Sequence, residues 1–127
     1  MLSFENDYSC TATPEIIERI SEIAQNQYPG YGNDSICESA KAKIREACAC
    51  PDAQIFFLVG GTQTNQTIID SITPQYAGVI AASTGHVNVH EAGAIEFTGH
   101  KVLTVPHKNG KLDADDLREY VQTFYAD

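Results

Sequence analysis

Short apolar runs that end in glycine or polar residues recur between residues 55 and 105. Three of them predict buried strands, at residues 55–59, 76–82 and 101–105. Segments with helical spacing follow each run, so the pattern favours an α/β fold built on a parallel sheet. In such sheets ligands bind beyond the carboxyl ends of the strands.

Helix-start signals define the remaining elements. Thr13 and Pro14 predict one helix through a hydroxyl cap and a proline in its first turn. Ser35 and Glu38 form a capping-box pattern that predicts a second helix. Further helices are predicted at residues 62–72, at residues 88–97 and after a cap at Asp113, with a turn at Asn109-Gly110 before the last.

Charge and composition narrow the class of partner. The 127 residues include 8 basic and 17 acidic side chains, for a formal net charge of −9. This balance argues against nucleic acid or an anionic membrane as partner. No long apolar window or signal-peptide pattern is present, because Glu5 and Asn6 interrupt the start of the chain. We therefore expect a cytoplasmic protein that acts on a small molecule.

The apolar run at 55–59 leads directly into Gly60-Gly61-Thr62-Gln63. Glycines allow a tight turn, and the helix that follows aims backbone N–H groups and the positive end of its dipole at one point. A phosphate group would be stabilised there. The motif is neither a Walker motif nor a dinucleotide fingerprint, so a structural turn without a ligand is an equally open interpretation.

Histidines supply the next candidate chemistry. His86 follows the predicted strand 76–82, where it could stack on a planar cofactor or exchange a proton. His86, His90 and Glu91 could instead serve a metal hydrolase, but the spacing is not His-Glu-x-x-His and a further ligand is missing. We therefore predict no metal site.

Four segments in order resemble the threonine aldolase family, which uses pyridoxal 5′-phosphate on fold type I. They are Asn6-Asp7-Tyr8-Ser9, Gly30-Tyr31-Gly32-Asn33-Asp34, residues 60–66, and Gly85-His86 followed by His90-Glu91-Ala92-Gly93-Ala94. The resemblance covers essentially the whole chain. It implies an α/β segment with a partial parallel or mixed sheet and flanking helices, from the N-terminal part of the fold type I large domain.

The resemblance also implies roles for individual residues. Cofactor-binding positions correspond to Gly60, Gly61, Thr62, Gln63 and His86, and His86 is in addition the candidate catalytic residue. Substrate-binding positions correspond to Asn6, Tyr31, His90 and Glu91, with Tyr31 reaching the active site of a neighbouring subunit. The family usually has serine at the position of Gly60, and many members have serine at that of Asn6, so this chain lacks a hydroxyl group at both positions.

The implied reaction is retro-aldol cleavage of L-threonine, L-allo-threonine or a related β-hydroxy-α-amino acid to glycine and an aldehyde, by a homodimer or homotetramer. The Schiff-base lysine, the acid that pairs with the ring nitrogen and the carboxylate-binding arginines are not recognisable in this chain. We therefore expect a truncated piece that is inactive alone, with an arm and interface loop at 1–34 and an α/β segment at 35–127. A β-eliminating lyase, an aminotransferase or a small non-catalytic phosphate-binding module are the alternatives.

Overall fold

The computed structural model describes residues 5–6 and 8–125, and the chain divides into two compact units between Phe56 and Phe57. The first unit contains α1 (Pro14–Ile23) and α2 (Ser35–Ala47). The second unit contains α3 (Gly61–Ile72), β1 (Gly78–Ala82), α4 (His86–Val89), α5 (Ala94–Phe97), β2 (Lys101–Val105), α6 (Ala114–Gln122) and a 3₁₀ turn (Thr123–Tyr125). No helix in the described part of the chain is long and apolar enough to cross a membrane.

Both helices of the first unit start close to where the sequence predicts. Pro14 opens α1 after Thr13, although the Thr13 hydroxyl makes no capping bond. The predicted cap of α2 is wrong by one residue, because Asp34 and not Ser35 is the N-cap. The Asp34 carboxylate accepts hydrogen bonds of 2.9 and 2.8 Å from two first-turn amides. A charged acceptor binds amides more strongly than a hydroxyl does, which explains the shift.

The core of the second unit lies on a two-stranded parallel sheet. β1 and β2 pair in register from Gly78 opposite Lys101 to Ala82 opposite Val105. A side chain at position 78 would approach the Lys101 carbonyl oxygen to 2.7 Å, so close strand pairing requires the glycine. The buried apolar cluster consists of Ala81, Ile95 and Val102, with Ile69, Val79 and Val87 packed against it.

The predicted strand at 55–59 is wrong. These residues form no strand, and Phe56 and Val59 are 78% and 95% exposed. The described residues therefore contain a sheet of two strands where the sequence predicts three. A β-strand requires a neighbour to satisfy its backbone hydrogen bonds, and no described segment pairs with 55–59.

The single helix predicted at 88–97 is also wrong. Two short helices, α4 and α5, are separated by residues 90–93. Ala92 and Gly93 have φ angles of 51° and 75°, in the left-handed region that ends a helix. This break reorients the chain and leaves Glu91 buried beside α4.

His100, which directly precedes β2, is only 2% exposed. Its Nδ1 lies 3.1 Å from the Ala77 carbonyl oxygen, and its Nε2 lies 3.3 Å from Asp70 Oδ1. The His100 ring therefore lies between the Ala77 carbonyl group and the Asp70 carboxylate, and it connects α3 to the segment before β1.

The predicted turn before α6 is confirmed. Asn109 and Gly110 have φ angles of 54° and 78°, and Lys108 pairs with Lys111 across the turn. These two left-handed residues are typical of a type I′ turn. The predicted cap of α6 is confirmed as well, since the Asp113 side chain accepts a 2.9 Å bond from the Asp115 amide.

Candidate cofactor and substrate site

The start of α3 is open to an anion. Gly60 is the N-cap in an extended conformation, and no side chain caps the helix. The first amides of a helix have no partner within the helix itself, so those of Gly61 and Thr62 are available to a ligand. A Cβ atom added to Gly60 or Gly61 would meet no atom within 4 Å, which shows that space is available at this turn.

Two side chains hold this turn in place. Gln63 Oε1 accepts a 3.1 Å hydrogen bond from the Val59 amide, and Thr64 Oγ1 donates a 2.9 Å bond to the Gly60 carbonyl oxygen. The side-chain oxygen of Gln63 therefore stabilises the turn. Thr62 is exposed at the start of the helix, where its hydroxyl is accessible.

His86 lies directly beyond the carboxyl end of β1, as predicted. Gly85 caps α4, and its amide donates a 2.7 Å bond to the Ala82 carbonyl oxygen at the end of the strand. The His86 side chain is 64% exposed, and its Nδ1 lies 2.7 Å from Glu91 Oε1. One ring nitrogen is therefore fixed to the protein while the rest of the ring is accessible.

Glu91 is buried and contacts both His86 and Asn65. Its side chain has no solvent exposure, and Oε1 accepts a 2.6 Å hydrogen bond from Asn65 Nδ2 in addition to the His86 contact. Glu91 Oε2 is buried without a partner among the described residues. Glu91 therefore meets Asn65 and His86 and is not exposed to a substrate directly.

Asn65 lies between the start of α3 and the His86–Glu91 pair. It lies one helical turn, about 6 Å, after Gly61 on α3. Its bond to Glu91 connects the open helix start to His86. Sequence reasoning missed this role, although the spacing carried a signal. Asn65 precedes the core residue Ile69 by four positions, which places a polar side chain on the buried face of α3.

His90 lies beside His86. The two ring centroids are 5.4 Å apart with an interplanar angle of 50°, and His90 is exposed. His90 therefore borders the accessible face of His86. No group of three or more metal-ligating side chains lies together among the residues that the structure describes.

The other two predicted substrate residues, Asn6 and Tyr31, belong to the first unit. Asn6 Oδ1 accepts bonds of 3.2 and 2.8 Å from the amides of Tyr8 and Ser9, which forms a local turn. Tyr31 is fully exposed and has a φ angle of 64°, an unusual conformation for a residue other than glycine. Such local strain is typical of functional loops.

The paired parallel strands and the flanking helices of the second unit define an α/β fold. Residues 4–127 match the family model of the beta-eliminating lyases, and the chain belongs to that family. The relatives described next confirm the predicted resemblance to threonine aldolases and the predicted fold class, the N-terminal part of pyridoxal-phosphate fold type I.

Individual relatives agree with the family. A structure of Leishmania major threonine aldolase superposes with a TM-score of 0.87 and 41% identity, covering 93% of this chain and 34% of that one. A low-specificity L-threonine aldolase of Pseudomonas sp. is 30% identical over 118 residues, or 91% of this chain and 34% of the relative. That of Pseudomonas aeruginosa is 29% identical over the same length. The chain thus spans about a third of the length of these relatives.

Proposed function

We propose that the protein carrying this chain is a pyridoxal-phosphate-dependent aldehyde-lyase. Its substrates are L-threonine, L-allo-threonine or related β-hydroxy-α-amino acids, which it cleaves to glycine and an aldehyde. The observation that carries the proposal is the connection of the uncapped start of α3 to His86 through Asn65 and Glu91. The similarity to low-specificity L-threonine aldolases supports it.

The residues present fit the cofactor. Gly61 and Thr62 offer backbone N–H groups and a hydroxyl to the phosphate, and the first turn of α3 contains no acidic residue that would repel it. No atom lies within 4 Å of a Cβ atom added at Gly60, so the turn has room for the phosphate. Gln63 stabilises the turn by accepting a hydrogen bond from the Val59 amide. The exposed face of His86 is available for stacking on the pyridine ring.

The bound cofactor would supply an electron sink for the carbanion that forms when the bond between Cα and Cβ breaks. The chain supplies the groups that orient the substrate. His86 Nε2 would accept the proton of the β-hydroxyl, directly or through water. We assign contacts with the substrate to Asn6, Tyr31 and His90, and Glu91 would act on the substrate only through His86.

The lysines of the second unit do not suit a covalent link to the cofactor. Lys101 begins β2, about 13 Å along the strand from the carboxyl end. Lys108 pairs with Asp113 and Asp116 at 3.3 and 3.2 Å, and Lys111 belongs to the same turn. We therefore propose that the 127-residue chain does not turn over by itself. Residues 1–34 would serve as an arm in a cytoplasmic homodimer or homotetramer, in which Tyr31 reaches a neighbouring subunit.

An activity assay tests the proposed function. The full-length protein that contains this chain, supplied with pyridoxal phosphate, is expected to convert L-threonine to glycine and acetaldehyde. His86→Asn should lower kcat by about 10²-fold or more, the usual contribution of a positioned proton acceptor. His107→Asn is the matched control, because His107 only accepts a bond from the Gly110 amide in the turn before α6. Absence of glycine from the wild-type reaction would refute the proposal.

Beta-elimination is the second candidate, because the matching family model carries that name. An eliminating enzyme would release ammonia and a keto acid from a substrate with a leaving group on Cβ. The same assay separates the two reactions, since threonine cleavage yields glycine without ammonia.

A further inference from the structure

We propose that Glu91 is a positioning residue that holds the His86 proton on Nδ1 and thereby keeps Nε2 as an accessible proton acceptor. The role of Nε2 in the reaction depends on the proposed function. The arrangement of the proton follows from contacts within this chain.

The geometry around Glu91 Oε1 favours one proton arrangement. Oε1 accepts from Asn65 Nδ2 at 2.6 Å and lies 2.7 Å from His86 Nδ1. Since Oε1 already accepts from the Asn65 amide, it faces His86 as an acceptor, and we place the shared proton on His86 Nδ1. Neutral His86 then has no proton on Nε2, as a base requires.

Burial strengthens this arrangement. The Glu91 side chain has no solvent exposure, so water does not compete for the bond to His86. A charge-assisted hydrogen bond in such surroundings is stronger than one between neutral groups. His90, the other titratable ring in contact with His86, has its centroid 5.4 Å from the His86 ring and is exposed.

The unpartnered oxygen of Glu91 argues against a purely structural role. Oε2 is buried without a hydrogen bond among the described residues, and leaving a buried polar oxygen unsatisfied is costly. An apolar residue of similar volume would pack at this position without that penalty. The carboxylate at Oε1 is therefore best explained by its effect on His86.

Nuclear magnetic resonance of ¹⁵N-histidine in the full-length protein tests the proposal without any need for turnover. Spectra are recorded without cofactor, at about pH 8, above the range in which imidazole is usually protonated. His86 is assigned by the loss of its signals in His86→Asn. The expected result is a proton on Nδ1 in the wild type, and a ratio of Nδ1–H to Nε2–H that falls about tenfold in Glu91→Gln.

Two controls separate positioning from folding. Glu96→Gln removes the same charge from an exposed position on α5 and should leave the His86 signals unchanged. Unchanged signals of buried His100 show that Glu91→Gln is folded, and if that variant unfolds, the wild-type spectrum alone decides the proposal. A wild-type His86 that carries its proton on Nε2 would overturn it, as would an unchanged ratio in folded Glu91→Gln.

Activity provides the second readout. Glu91→Gln is expected to lower kcat by about tenfold with little change in KM, in parallel with the change in tautomer. Absence of turnover in the wild type with a proton on Nδ1 would refute the proposed function and leave the positioning role intact. Threonine cleavage with a proton on Nε2 would refute the positioning role and the assignment of Nε2 as proton acceptor, and would leave the proposed aldolase activity intact.

Discussion

The starts of α3 and α6 differ in how their first-turn amides, which have no partner inside the helix, are treated. At α6 the Asp113 side chain accepts a 2.9 Å bond from the Asp115 amide and also pairs with Lys108. At α3 the N-cap is Gly60 and no side chain caps the helix. A side chain of the protein therefore satisfies a first-turn amide at α6, whereas no side chain does so at α3.

The two helices also differ in the number of acidic residues in their first turns. The first turn of α6 carries Asp115 and Asp116 after the Asp113 cap, whereas the first turn of α3 contains no acidic residue. Acidic side chains stabilise a helix start but repel an anion. A phosphate group is therefore expected at α3 and not at α6.

The largest expected effect comes from giving α3 the cap that α6 has. Gly60→Asp should lower the affinity for pyridoxal phosphate by at least about tenfold, because the new carboxylate would bond the free amides and repel the phosphate. The backbone of Gly60 is extended and its surroundings are open, so the substitution should be tolerated. Titration of the full-length protein, followed by cofactor absorbance, measures the change.

Gly60→Ser is the matched control for that substitution. A hydroxyl can cap the helix but can also donate to a phosphate, so affinity should stay close to that of the wild type. Equal affinity in Gly60→Asp and the wild type would contradict a phosphate site at this turn.

Removing the cap of α6 should have a smaller effect, on stability alone. Asp113→Ala is expected to lower the melting temperature by about 5 °C, because the Asp115 amide loses its acceptor. Asp113→Asn retains a side-chain acceptor and should melt close to the wild type. Thermal unfolding followed by circular dichroism distinguishes these outcomes, and equal melting temperatures for the alanine variant and the wild type would refute the assigned cap.

Low pH should lower the stability of α2 and α6, which have aspartate caps, but not that of α3, which has none. Backbone bonds from the Asp115 amide, followed by the contact with Lys108, hold the pKa of Asp113 below its ordinary value of 3.8. A hydrogen bond from the Cys37 side chain, aided by its amide, lowers the pKa of Asp34 in the same way.

A depressed pKa stabilises the fold above the unfolded-state value, and this contribution is lost as the pH falls through the folded-state value. Carboxyl ¹³C titration of the chain should therefore give midpoints below 3.8 for Asp34 and Asp113. Midpoints at or above that value would contradict the caps, and Asp113→Asn should lose the corresponding part of the acid dependence.

The smallest effect is expected in the apolar run that precedes α3. Phe56→Thr should change the melting temperature of the 127-residue chain by no more than about 2 °C, because the ring is 78% exposed. A loss as large as that of Asp113→Ala would show that the Phe56 ring is buried in solution and would contradict its exposed position.

Local signals predicted most of the regular elements. β1, β2, the start of α1 and the cap of α6 lie where apolar runs and capping residues indicated. The run at 55–59 has the same apolar character as β1 but pairs with no described strand. Apolar composition indicates that a segment can form a strand, whereas a neighbouring strand decides whether it does.

Burial of polar residues was the part that sequence reasoning could not supply. His100 and Glu91 are both buried, at 2% and 3% exposure, and each contacts a partner that is distant in sequence. Asp70 and Asn65 are those partners, and both lie on α3. The sequence placed His86 after a strand and the glycine turn at a helix start, and the fold connects the two through Asn65 and Glu91.

The most direct test of the account compares the two helix starts in one experiment. Pyridoxal phosphate and phosphate-free pyridoxal are titrated separately into ¹⁵N-labelled protein while the amide signals are followed. We predict that pyridoxal phosphate shifts the amides of Gly61 and Thr62, that pyridoxal does not, and that Ala114 and Asp115 stay unchanged. Unchanged amides at α3, or equal shifts at α3 and α6, would contradict the assignment of α3 as the phosphate site.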